Sequence, residues 1–579
     1  MSARHFVNDP THLVSSALHS LTLTNPSLAL DPESKVIYRR PAPDATPQVS
    51  IISGGGSGHE PSFAGMVGKG LLSAAVAGTI FASPSAEQIR TAITSRVDTS
   101  KGVLVTVMNY TGDVLNFGMG VEKAKAAGLE VEMVVVGDDV GVGRTKAGKV
   151  GRRGIAGTVL VHKISGALAA LGKPLEEVAR YAQLTADNLV SVGASLEHVH
   201  VPGRKVDTEG SLAEGEVELG MGIHNEPGSG RETVELPDLV SKMLKQLLDT
   251  SDKDRAFVNV NSNEVVLLVN NLGGVSVLEL GGITSEVASQ LEAKYNIRPV
   301  RVLNGTYMTS LNGLGFSITL LNVVSPEFDA PSMIELLDAP SEVVGWSAPI
   351  QTSTWEAENS ATRTDSAGAT QDFQPSDLKM DAKAAQSALK NGLEKVIEAE
   401  PDVTRYDTVV GDGDCGIGLK RGAEAILKHI DEHPFTGDVV VDLSSVVTVV
   451  ETAMDGTSGA LYAIFLNALV HALRDLAPGT ADPEVWAKAL KESSEALGKY
   501  TPARPGDRTL VDALHPFVEV LTKTKDVKQA AEAARAGADK TKGMEASLGR
   551  SVYIGGSGYQ EVPDPGAWGL ACFFLGLSG

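Results

Sequence analysis

Cysteine, basic residues and long apolar runs are scarce in this sequence. Its 579 residues include only Cys415 and Cys572 as cysteines, which cannot form a disulfide framework and indicate a reducing compartment. No apolar run reaches the roughly 18 residues of a membrane span. The N-terminus carries charge and a proline where a secretory signal would be apolar, and the C-terminus has no prenylation or peroxisomal signal. We expect a cytoplasmic protein without a membrane partner.

The charge balance is strongly acidic. Lysine and arginine total 50 and aspartate and glutamate total 72, which gives a formal net charge of −22. A field of this sign repels the phosphate backbone of nucleic acids and disfavours a nucleic-acid partner. An anionic substrate would therefore have to be bound by a local site, a metal ion or backbone amides.

The first part of the chain, to about residue 345, alternates β-branched runs with polar turns and helical stretches. The runs Val49–Ile52, Val103–Val107 and Val131–Val136 lead into the turns Ser53–Pro61, Met108–Asp113 and Gly137–Asp139. Near-continuous apolar strands are typical of an α/β sheet covered on both faces, in which ligands bind beyond the carboxyl ends of the strands. A second group of strands predicts a second α/β lobe. It comprises Glu216–Ile223, Glu264–Asn270 and Gly315–Val323.

A change of composition separates two halves of the chain. Ser, Thr, Ala, Gln and Asp dominate residues 353–374 without a hydrophobic period, which is typical of a solvated linker. Beyond it, apolar residues recur at helical spacing from Leu389 to Ile397, and helical composition continues to the end. Only Val439–Val450 fits a strand and a buried helix equally well. We predict a two-lobed α/β domain at 1–345, a flexible linker at 346–378 and an all-helical domain at 379–579.

The segment Gly143–Val150 nearly fits the phosphate-binding P-loop pattern. That pattern requires Ser or Thr after the lysine to hold magnesium, and Val150 occupies this position. No apolar strand runs directly into the segment. We therefore expect no nucleotide site there.

The strongest local signal is an acidic, glycine-rich turn between two helical stretches. It contains Asp407, Asp412 and Asp414, whose mutual repulsion is unfavourable unless a cation neutralises it. A calcium-binding EF-hand counted from Asp412 would need Gly and Glu where the chain has Ile417 and Ala423. Oxygen ligands in this setting favour a magnesium ion that bridges to phosphates.

Four further polar loops occur in the helical half. They are Asp455–Gly459, Ala503–Thr509, Gly549–Ser551 and Pro563–Gly566. Helix connections rarely need so many Gly, Arg and Asp residues together, although each loop alone fits a simple connection. Amides, hydroxyls and guanidinium groups of this kind suit phosphate oxygens.

Three residues of the first half could carry acid–base or nucleophilic chemistry. His59 ends the glycine loop Ser53–Pro61, Asp113 follows a strand, and His224 lies among small residues that leave room for a ligand. Each also has a structural interpretation, since His59 and Asp113 can cap a turn or a helix and His224 can be a structural histidine. The residues alone leave these alternatives open.

Together, the motifs resemble the ATP-dependent dihydroxyacetone kinases of the single-chain eukaryotic type, nearly end to end. The first half is similar to the DhaK-type substrate domain through Phe6–Pro10, Gly54–Pro61, Phe81–Ser85, Asn109–Asp113, Gly222–Gly228 and Gly315–Thr319. The second half is similar to the DhaL-type nucleotide domain through Gly411–Gly416, Gly456–Leu461, Arg504–Thr509 and Asp564–Gly566. The resemblance implies a multidomain protein, with a two-lobed α/β DhaK-like domain followed by an all-α, eight-helix barrel, DhaL-like domain.

The resemblance also implies a reaction and a set of residues. ATP would phosphorylate dihydroxyacetone, and also glyceraldehyde, with His224 bonded to the substrate's carbonyl carbon as a hemiaminal and His59 and Asp113 as acid–base residues. The substrate would be lined by Gly56, Ser57, Gly58, His59, Met108 and Asp113. Two magnesium ions on ATP would be held by Asp407, Asp412 and Asp414. The nucleotide would contact Cys415, Gly416, Ile417, Gly418, Thr457, Ser458, Arg550, Asp564, Pro565 and Gly566.

The resemblance has one departure and leaves some functions open. Met108 stands where many relatives have a substrate-contacting lysine, which predicts weaker substrate binding. By the same resemblance we expect a homodimer in which the two domains face each other across chains. Alternatives are a triokinase/FMN cyclase acting on FAD, a non-catalytic carbonyl-binding regulator, and a unit fed by a phosphotransferase relay. The intact acidic cluster together with His224 argues against the regulator, and the fusion of both domains without a phosphocarrier favours exchangeable ATP.

Overall fold

The structure is a computed structural model that describes residues 5–7, 9–41, 46–204, 211–260, 264–358, 373–548 and 560–579. The chain forms two compact units, residues 1–363 and 364–579, here called the α/β unit and the helical unit. The segment predicted as a linker contains a helix, Thr352–Glu358, and a two-residue strand, Leu378–Lys379. Residues 359–372 of that segment lie outside the described part, and the predicted domain boundaries stay predictions.

The first lobe of the α/β unit is built on a six-stranded sheet. Its strands are β1 (Leu28–Asp31), β2 (Val36–Arg39), β3 (Ser50–Ser57), β4 (Ala74–Ile80), β5 (Val103–Met108) and β6 (Val131–Val136), in the order β1-β2-β4-β3-β5-β6. Its helices are α1 (Pro10–Thr24), α2 (Ala86–Ser95), α3 (Thr111–Ala126), α4 (Arg144–Ala147), α5 (Thr158–Ala170) and α6 (Leu175–Asp187). Strands β4, β3, β5 and β6 are parallel, and β3, β5 and β6 contain the three apolar runs of this lobe.

The second lobe contains another six-stranded sheet, which is mainly antiparallel. Its strands are β7 (Leu189–Ser195), β8 (Glu216–Leu219), β9 (Gly230–Thr233), β10 (Val265–Asn271), β11 (Arg301–Gly305) and β12 (Gly315–Asn322), in the order β11-β10-β12-β7-β8-β9. Its helices are α7 (Leu236–Leu248), α8 (Val277–Tyr295), α9 (Met333–Asp338) and α10 (Thr352–Glu358). The α/β class of this half and its second lobe are confirmed.

The central strands of both sheets are buried along their whole length. Every residue of β3 and β5 in the first lobe, and of β7, β10 and β12 in the second, is buried. Helices therefore cover both faces of these strands, and the polar loops at their ends are left as the places where ligands can reach the sheet.

The helical unit contains two short strands and eight helices within its described residues. The strands are β13 (Leu378–Lys379) and β14 (Gly479–Thr480), and the helices are α11 (Ala382–Val410), α12 (Cys415–Glu432), α13 (Val439–Ala453), α14 (Gly456–Asp475), α15 (Pro483–Leu497), α16 (Val511–Thr524), α17 (Val527–Lys540) and α18 (Pro565–Leu577). Each helix packs against the next in the chain, and α18 packs against both α17 and α11. The predicted helical class is confirmed.

The β-branched run that fitted a strand or a helix is the buried helix α13. Its N-cap is Asp438, whose carboxylate accepts hydrogen bonds from the amides of Val441, Ser376 and Asp377. Burial alone would raise the pKa of Asp438, but these hydrogen bonds and that of Lys379 lower it to about 2. The cap begins the helix where propensity alone is ambiguous, because valine favours strands.

Helix α14 is long and apolar enough to cross a membrane by length and composition, which corrects the expectation that no segment reaches that length. The expectation failed because Asn467 and His471 interrupt the apolar run without lowering its mean hydropathy below that of a span. In the fold this helix packs between α13 and α15. Its residues Leu461, Phe465 and Leu469 line an apolar cavity of about 600 Å³ inside the helical unit.

Candidate active site

The glycine loop of the α/β unit brings His59 to the end of strand β3. The His59 ring is fully buried, and its Nδ1 lies 2.8 Å from the carbonyl oxygen of Thr309. Gly58 has a φ of +111°, and a Cβ there would lie 2.7 Å from the Phe81 ring. A Cβ on Gly56 would lie 2.7 Å from the amide of Ala82. Glycine is therefore required for the loop to approach the segment that follows β4.

Ser57 turns away from this space, since its Oγ donates to the carbonyl oxygen of Gly78 at 2.9 Å. Met108, at the end of β5, is buried in the core of the first lobe with 2% of its surface exposed. A Cβ on Gly154 would lie 2.7 Å from the Met108 Cβ. The structure thus packs Met108 tightly, and its contact with a substrate stays a prediction.

His224 lies on the loop that follows strand β8, and it meets His59 across the two lobes. The two Nε2 atoms are 3.0 Å apart, although the residues are 165 positions apart in the chain. His224 Nδ1 lies 2.8 Å from Glu226 Oε1, and its amide donates to Glu226 Oε2 at 2.9 Å. Glu226 is therefore hydrogen-bonded to both the ring and the backbone amide of His224.

Two aromatic rings border His224. The Phe81 ring stacks on His59 at 5.3 Å between centroids and meets the His224 ring edge-on at 5.0 Å. The Tyr110 ring meets His224 edge-on at 4.8 Å. Phe81 has a φ of +57°, a conformation that a bulky residue adopts only when its surroundings impose it. These rings leave the Nε2 side of His224 as the reactive edge.

Asp113 lies in the first turn of helix α3, near His224. It is 7% exposed, and its Oδ1 has no hydrogen-bond partner among the described residues. Burial raises its pKa above the usual value, against the opposing effects of a hydrogen bond with Ser83 and the charge of His224. A buried carboxylate oxygen without a partner is costly, so this atom is suited to accept a ligand's hydroxyl proton.

The hydrogen bonds of the two histidines define their protonation. A carbonyl oxygen can only accept, so His59 Nδ1 carries a proton, and ionised Glu226 likewise requires a proton on His224 Nδ1. Two lone pairs would then face each other at 3.0 Å unless one further proton lies between them. Burial, and then the charge of His224, lower the pKa of His59 to about 3, which disfavours a second proton on the His59 ring.

The acidic turn of the helical unit gathers three carboxylates at the junction of α11 and α12. Asp407 is buried in the last turn of α11, and Asp412 and Asp414 are exposed. One carboxylate oxygen from each lies within 4.8 Å of the others, and Asp407 Oδ2 also accepts the amide of Cys415 at 3.0 Å. Three converging oxygen donors suit a hard divalent cation such as magnesium.

The residues predicted for the nucleotide lie partly around this turn. A side-chain hydrogen bond joins the thiol of Cys415 and the hydroxyl of Ser458. Burial, and then the charges of Asp407 and Asp564, raise the pKa of the thiol to about 12. Asp564 caps helix α18 by accepting the amide of Ala567 at 2.8 Å, and burial raises its pKa to about 6. These groups lie close enough to interact electrostatically.

The other predicted nucleotide contacts differ in their surroundings. Gly416 is buried, and a Cβ there would lie 2.3 Å from the Thr404 Oγ1, so its small size serves the packing of α12 on α11. Ile417 and Thr457 are exposed, and Gly418 faces open space. Pro565 is buried in the first turn of α18, beside Gly566. Arg550 lies outside the described residues.

Sequence reasoning assigned no role to four residues of this site. Glu226 and Arg153 form its charged support, and Phe81 and Tyr110 form its walls. The spacing of Glu226, two residues after His224, was a usable signal, because a carboxylate near a candidate nucleophilic histidine often orients it. Arg153 had no such signal, since it is distant in sequence.

Comparison with known proteins agrees with both halves of the chain. A Dak1 domain matches residues 19–345, and a DAK2 domain matches residues 409–579. Dihydroxyacetone kinase 2 of Saccharomyces cerevisiae is 44% identical over 593 residues, covering 100% of this chain and 99% of that protein. The triokinase/FMN cyclase of Homo sapiens is 37% identical, with 100% and 99% covered.

A solved structure matches over the same length. It is the dihydroxyacetone kinase from C. freundii in complex with AMP-PNP and Mg²⁺, with a TM-score of 0.62, 33% identity, and 100% of this chain and 99% of that chain covered. The protein is therefore a two-domain protein of the Dak1–DAK2 class. It belongs to the dihydroxyacetone kinase family.

Proposed function

We propose that the protein transfers the γ-phosphoryl group of ATP to a hydroxyl of dihydroxyacetone, with His224 holding the ketone covalently. The observation that carries the proposal is the pairing of His224 Nδ1 with Glu226 at 2.8 Å. This pairing leaves Nε2 as the only ring nitrogen that can attack a carbonyl carbon, in a buried space beside the unpartnered Oδ1 of Asp113. Relatives named dihydroxyacetone kinase are more similar in sequence than those named triokinase/FMN cyclase, which favours dihydroxyacetone.

A covalent bond answers a problem of affinity. Dihydroxyacetone has about six heavy atoms, so even a ceiling of ~1.5 kcal/mol per atom limits non-covalent binding to roughly 9 kcal/mol, and polar ligands fall well short of that. A reversible C–N bond supplies the binding free energy that non-covalent contacts cannot. It also selects a carbonyl, so glycerol, which has similar hydroxyls, is excluded.

The hydrogen bonds suggest how the proton moves. The bridging proton passes from His224 to His59 Nε2, and the freed lone pair of His224 Nε2 adds to the carbonyl carbon. His59 then gives the proton to the carbonyl oxygen, which becomes a hydroxyl. The positive charge stays on the His224 ring beside ionised Glu226. No proton is gained or lost overall, and the lowered pKa of His59 makes it a ready donor.

Phosphoryl transfer follows from the free hydroxyl of the bound ketone. Asp113 accepts the hydroxyl proton as the oxygen attacks the γ-phosphorus and ADP leaves. Asp407, Asp412 and Asp414 would hold the two magnesium ions that we propose for ATP, and the metal would supply neutralisation of the phosphate charge. Cys415–Gly418, Thr457, Ser458, Arg550 and Asp564–Gly566 are proposed to line the nucleotide.

We also propose an eight-helix barrel for the helical unit, cytoplasmic location, and glyceraldehyde as a second substrate. The packing of α18 on both α17 and α11 supports the barrel.

The two free cysteines support a reducing location, which fluorescence microscopy of a tagged chain would test. Competition of glyceraldehyde with dihydroxyacetone for turnover would test the second substrate.

Replacing Glu226 by Gln is expected to lower kcat/KM for dihydroxyacetone about 100-fold, because a neutral amide cannot balance the charge of the His224 adduct. In the wild type, burial alone would raise the pKa of Glu226. The hydrogen bond with His224 and the charge of His224 instead lower this pKa to about 2. Glu226 is thus ionised at working pH.

The adduct yield of Glu226→Gln can be compared with that of the wild type by using ketone labelled with ¹³C at the carbonyl carbon. Glu232→Gln, on the exposed edge strand β9, is the control and should behave as the wild type. A Glu226→Gln enzyme with the kcat/KM and adduct yield of the wild type would contradict the role of Glu226.

We propose that the enzyme is a homodimer in which transfer joins domains of different chains, as the resemblance implies. Mixing His224→Ala chains with Asp412→Ala chains should then restore about a quarter of wild-type activity after subunit exchange, since half of the dimers contain one complete pair of sites. Each variant alone should be inactive. Mixed dimers without activity would overturn transfer between chains.

A further inference from the structure

Glu226 faces a largely buried ion pair between Arg153 and Asp139. Arg153 Nε donates to Asp139 Oδ2 at 2.8 Å, and its Nη2 lies 2.6 Å from the same oxygen. Arg153 Nη2 also donates to the carbonyl oxygen of Gly220 at 2.8 Å, within the loop that carries His224. Asp139 is 1% exposed, and its Oδ1 accepts the amide of Gly141 at 2.8 Å. The guanidinium group is therefore fixed in place on one side by a carboxylate that cannot move.

The opposite side of the same guanidinium group faces Glu226. A Cβ placed on Gly222 would lie 2.1 Å from Glu226 Oε2 and 2.6 Å from Arg153 Nη1. The two groups thus face each other over Gly222, where a side chain would clash with both. Burial alone would lower the pKa of Arg153, but the charge of Asp139 and, to a lesser extent, that of Glu226 raise it.

We propose that Arg153 is a positioning residue for the covalent step, because it orients Glu226 as the anion that fixes the Nδ1 proton of His224 and so directs Nε2 at the ketone. The proposal rests on the proposed function. Asp139 is paired with Arg153, Arg153 faces Glu226 over Gly222, and Glu226 is hydrogen-bonded to His224 Nδ1. Each member lies in buried or half-buried surroundings, where such pairs are little weakened by solvent.

Arg153 could instead serve only to hold the loop through Gly220. A purely structural role predicts loss of folding stability with equal loss of every function of the α/β unit. A positioning role predicts a selective loss. Dihydroxyacetone capture weakens, ATP binding is unchanged, and the signal of the His224 Nδ1 proton is lost.

The test uses the full-length protein with Arg153→Gln, Arg153→Lys and the neighbouring control Arg152→Gln. Arg152 donates to the carbonyl oxygen of Leu189 and stacks on Phe257, so it matches Arg153 in type and half-burial without supporting Glu226. Measurements are KM for ketone and for ATP, kcat, the adduct fraction with ¹³C-labelled ketone, and the low-field NMR signal of the His224 Nδ1 proton.

Arg153→Gln should raise KM for dihydroxyacetone about tenfold or more, lower the adduct fraction and remove the Nδ1 proton signal, with KM for ATP unchanged. Arg153→Lys keeps the charge and should restore most of the capture. Arg152→Gln should behave as the wild type. If Arg153→Gln does not fold, the proposal is tested with Arg153→Lys alone. The proposal then requires this variant to retain the Nδ1 proton signal and most of the adduct.

An adduct and proton signal in Arg153→Gln equal to those of the wild type would overturn the proposal, as would equal losses in Arg153→Gln and Arg152→Gln. Loss of capture in a folded Arg153→Lys variant would overturn it too. If the wild type itself forms no adduct, the proposed function fails, so the two failures are distinguishable.

Discussion

Replacing His224 by Ala is expected to lower kcat/KM for dihydroxyacetone at least about 1000-fold, with no detectable adduct. The loss is large because the covalent bond supplies most of the affinity for so small a ligand. ATP binding should be unchanged, because the predicted nucleotide site lies in the helical unit, which is a compact unit distinct from the one that contains His224. Steady-state kinetics with both substrates, together with calorimetric ATP binding, provide the measurement.

His198→Gln is the matched control for this variant. His198 is also half-buried and also pairs with a carboxylate, Glu218, at 3.1 Å, but it does not contact His59. It should keep activity within about twofold of the wild type. A folded His224→Ala enzyme with more than about a tenth of wild-type kcat/KM would contradict the role of His224.

Asp412→Asn is expected to lower kcat about 100- to 1000-fold, because it removes one of the three converging carboxylates that would hold the metal, and the metal would neutralise the phosphate charge. The ketone adduct should form normally in this variant, since capture needs only the α/β unit. Removal of divalent cations with a chelator should have the same pair of effects, with loss of turnover and retention of the adduct. Turnover assays and ¹³C spectra of the same sample measure both.

The control for the acidic cluster is Asp402→Asn, on the same helix as Asp407. Asp402 is exposed and pairs with Arg405 at 2.8 Å, so its neutralisation should leave kcat within about twofold of the wild type. Asp412→Asn with wild-type kcat at limiting magnesium would show that the cluster does not hold the catalytic metal. Loss of the adduct in that variant would show that capture depends on the helical unit.

Much of the fold follows from local patterns in the sequence. The apolar runs of β3, β5 and β6 predict an α/β sheet covered on both faces, with ligand loops at the strand ends, and the structure has a sheet that contains these strands. The acidic turn is similarly local, because Asp412 and Asp414 follow directly on the helix that ends beside Asp407. Periodicity and turn chemistry act over a few residues, so they can be read from the chain.

The centre of the site is not local, and the sequence alone cannot place it. His59 and His224 meet because the second lobe brings the loop after β8 against the end of β3, and Thr309 reaches His59 from yet another part of the chain. Val439–Val450 stayed ambiguous for a related reason, since burial rather than propensity makes it a helix. Arg153 and Glu226 face each other over Gly222, where a side chain would clash with both.

The most direct measurement uses protein with ¹⁵N-labelled histidine and dihydroxyacetone labelled with ¹³C at the carbonyl carbon. A saturated carbon signal with one-bond coupling to a single ring nitrogen, assigned to His224 Nε2 by its absence in His224→Ala, is the expected result. A carbonyl carbon that keeps its ketone shift in the saturated enzyme, or couples to another histidine, would contradict the account.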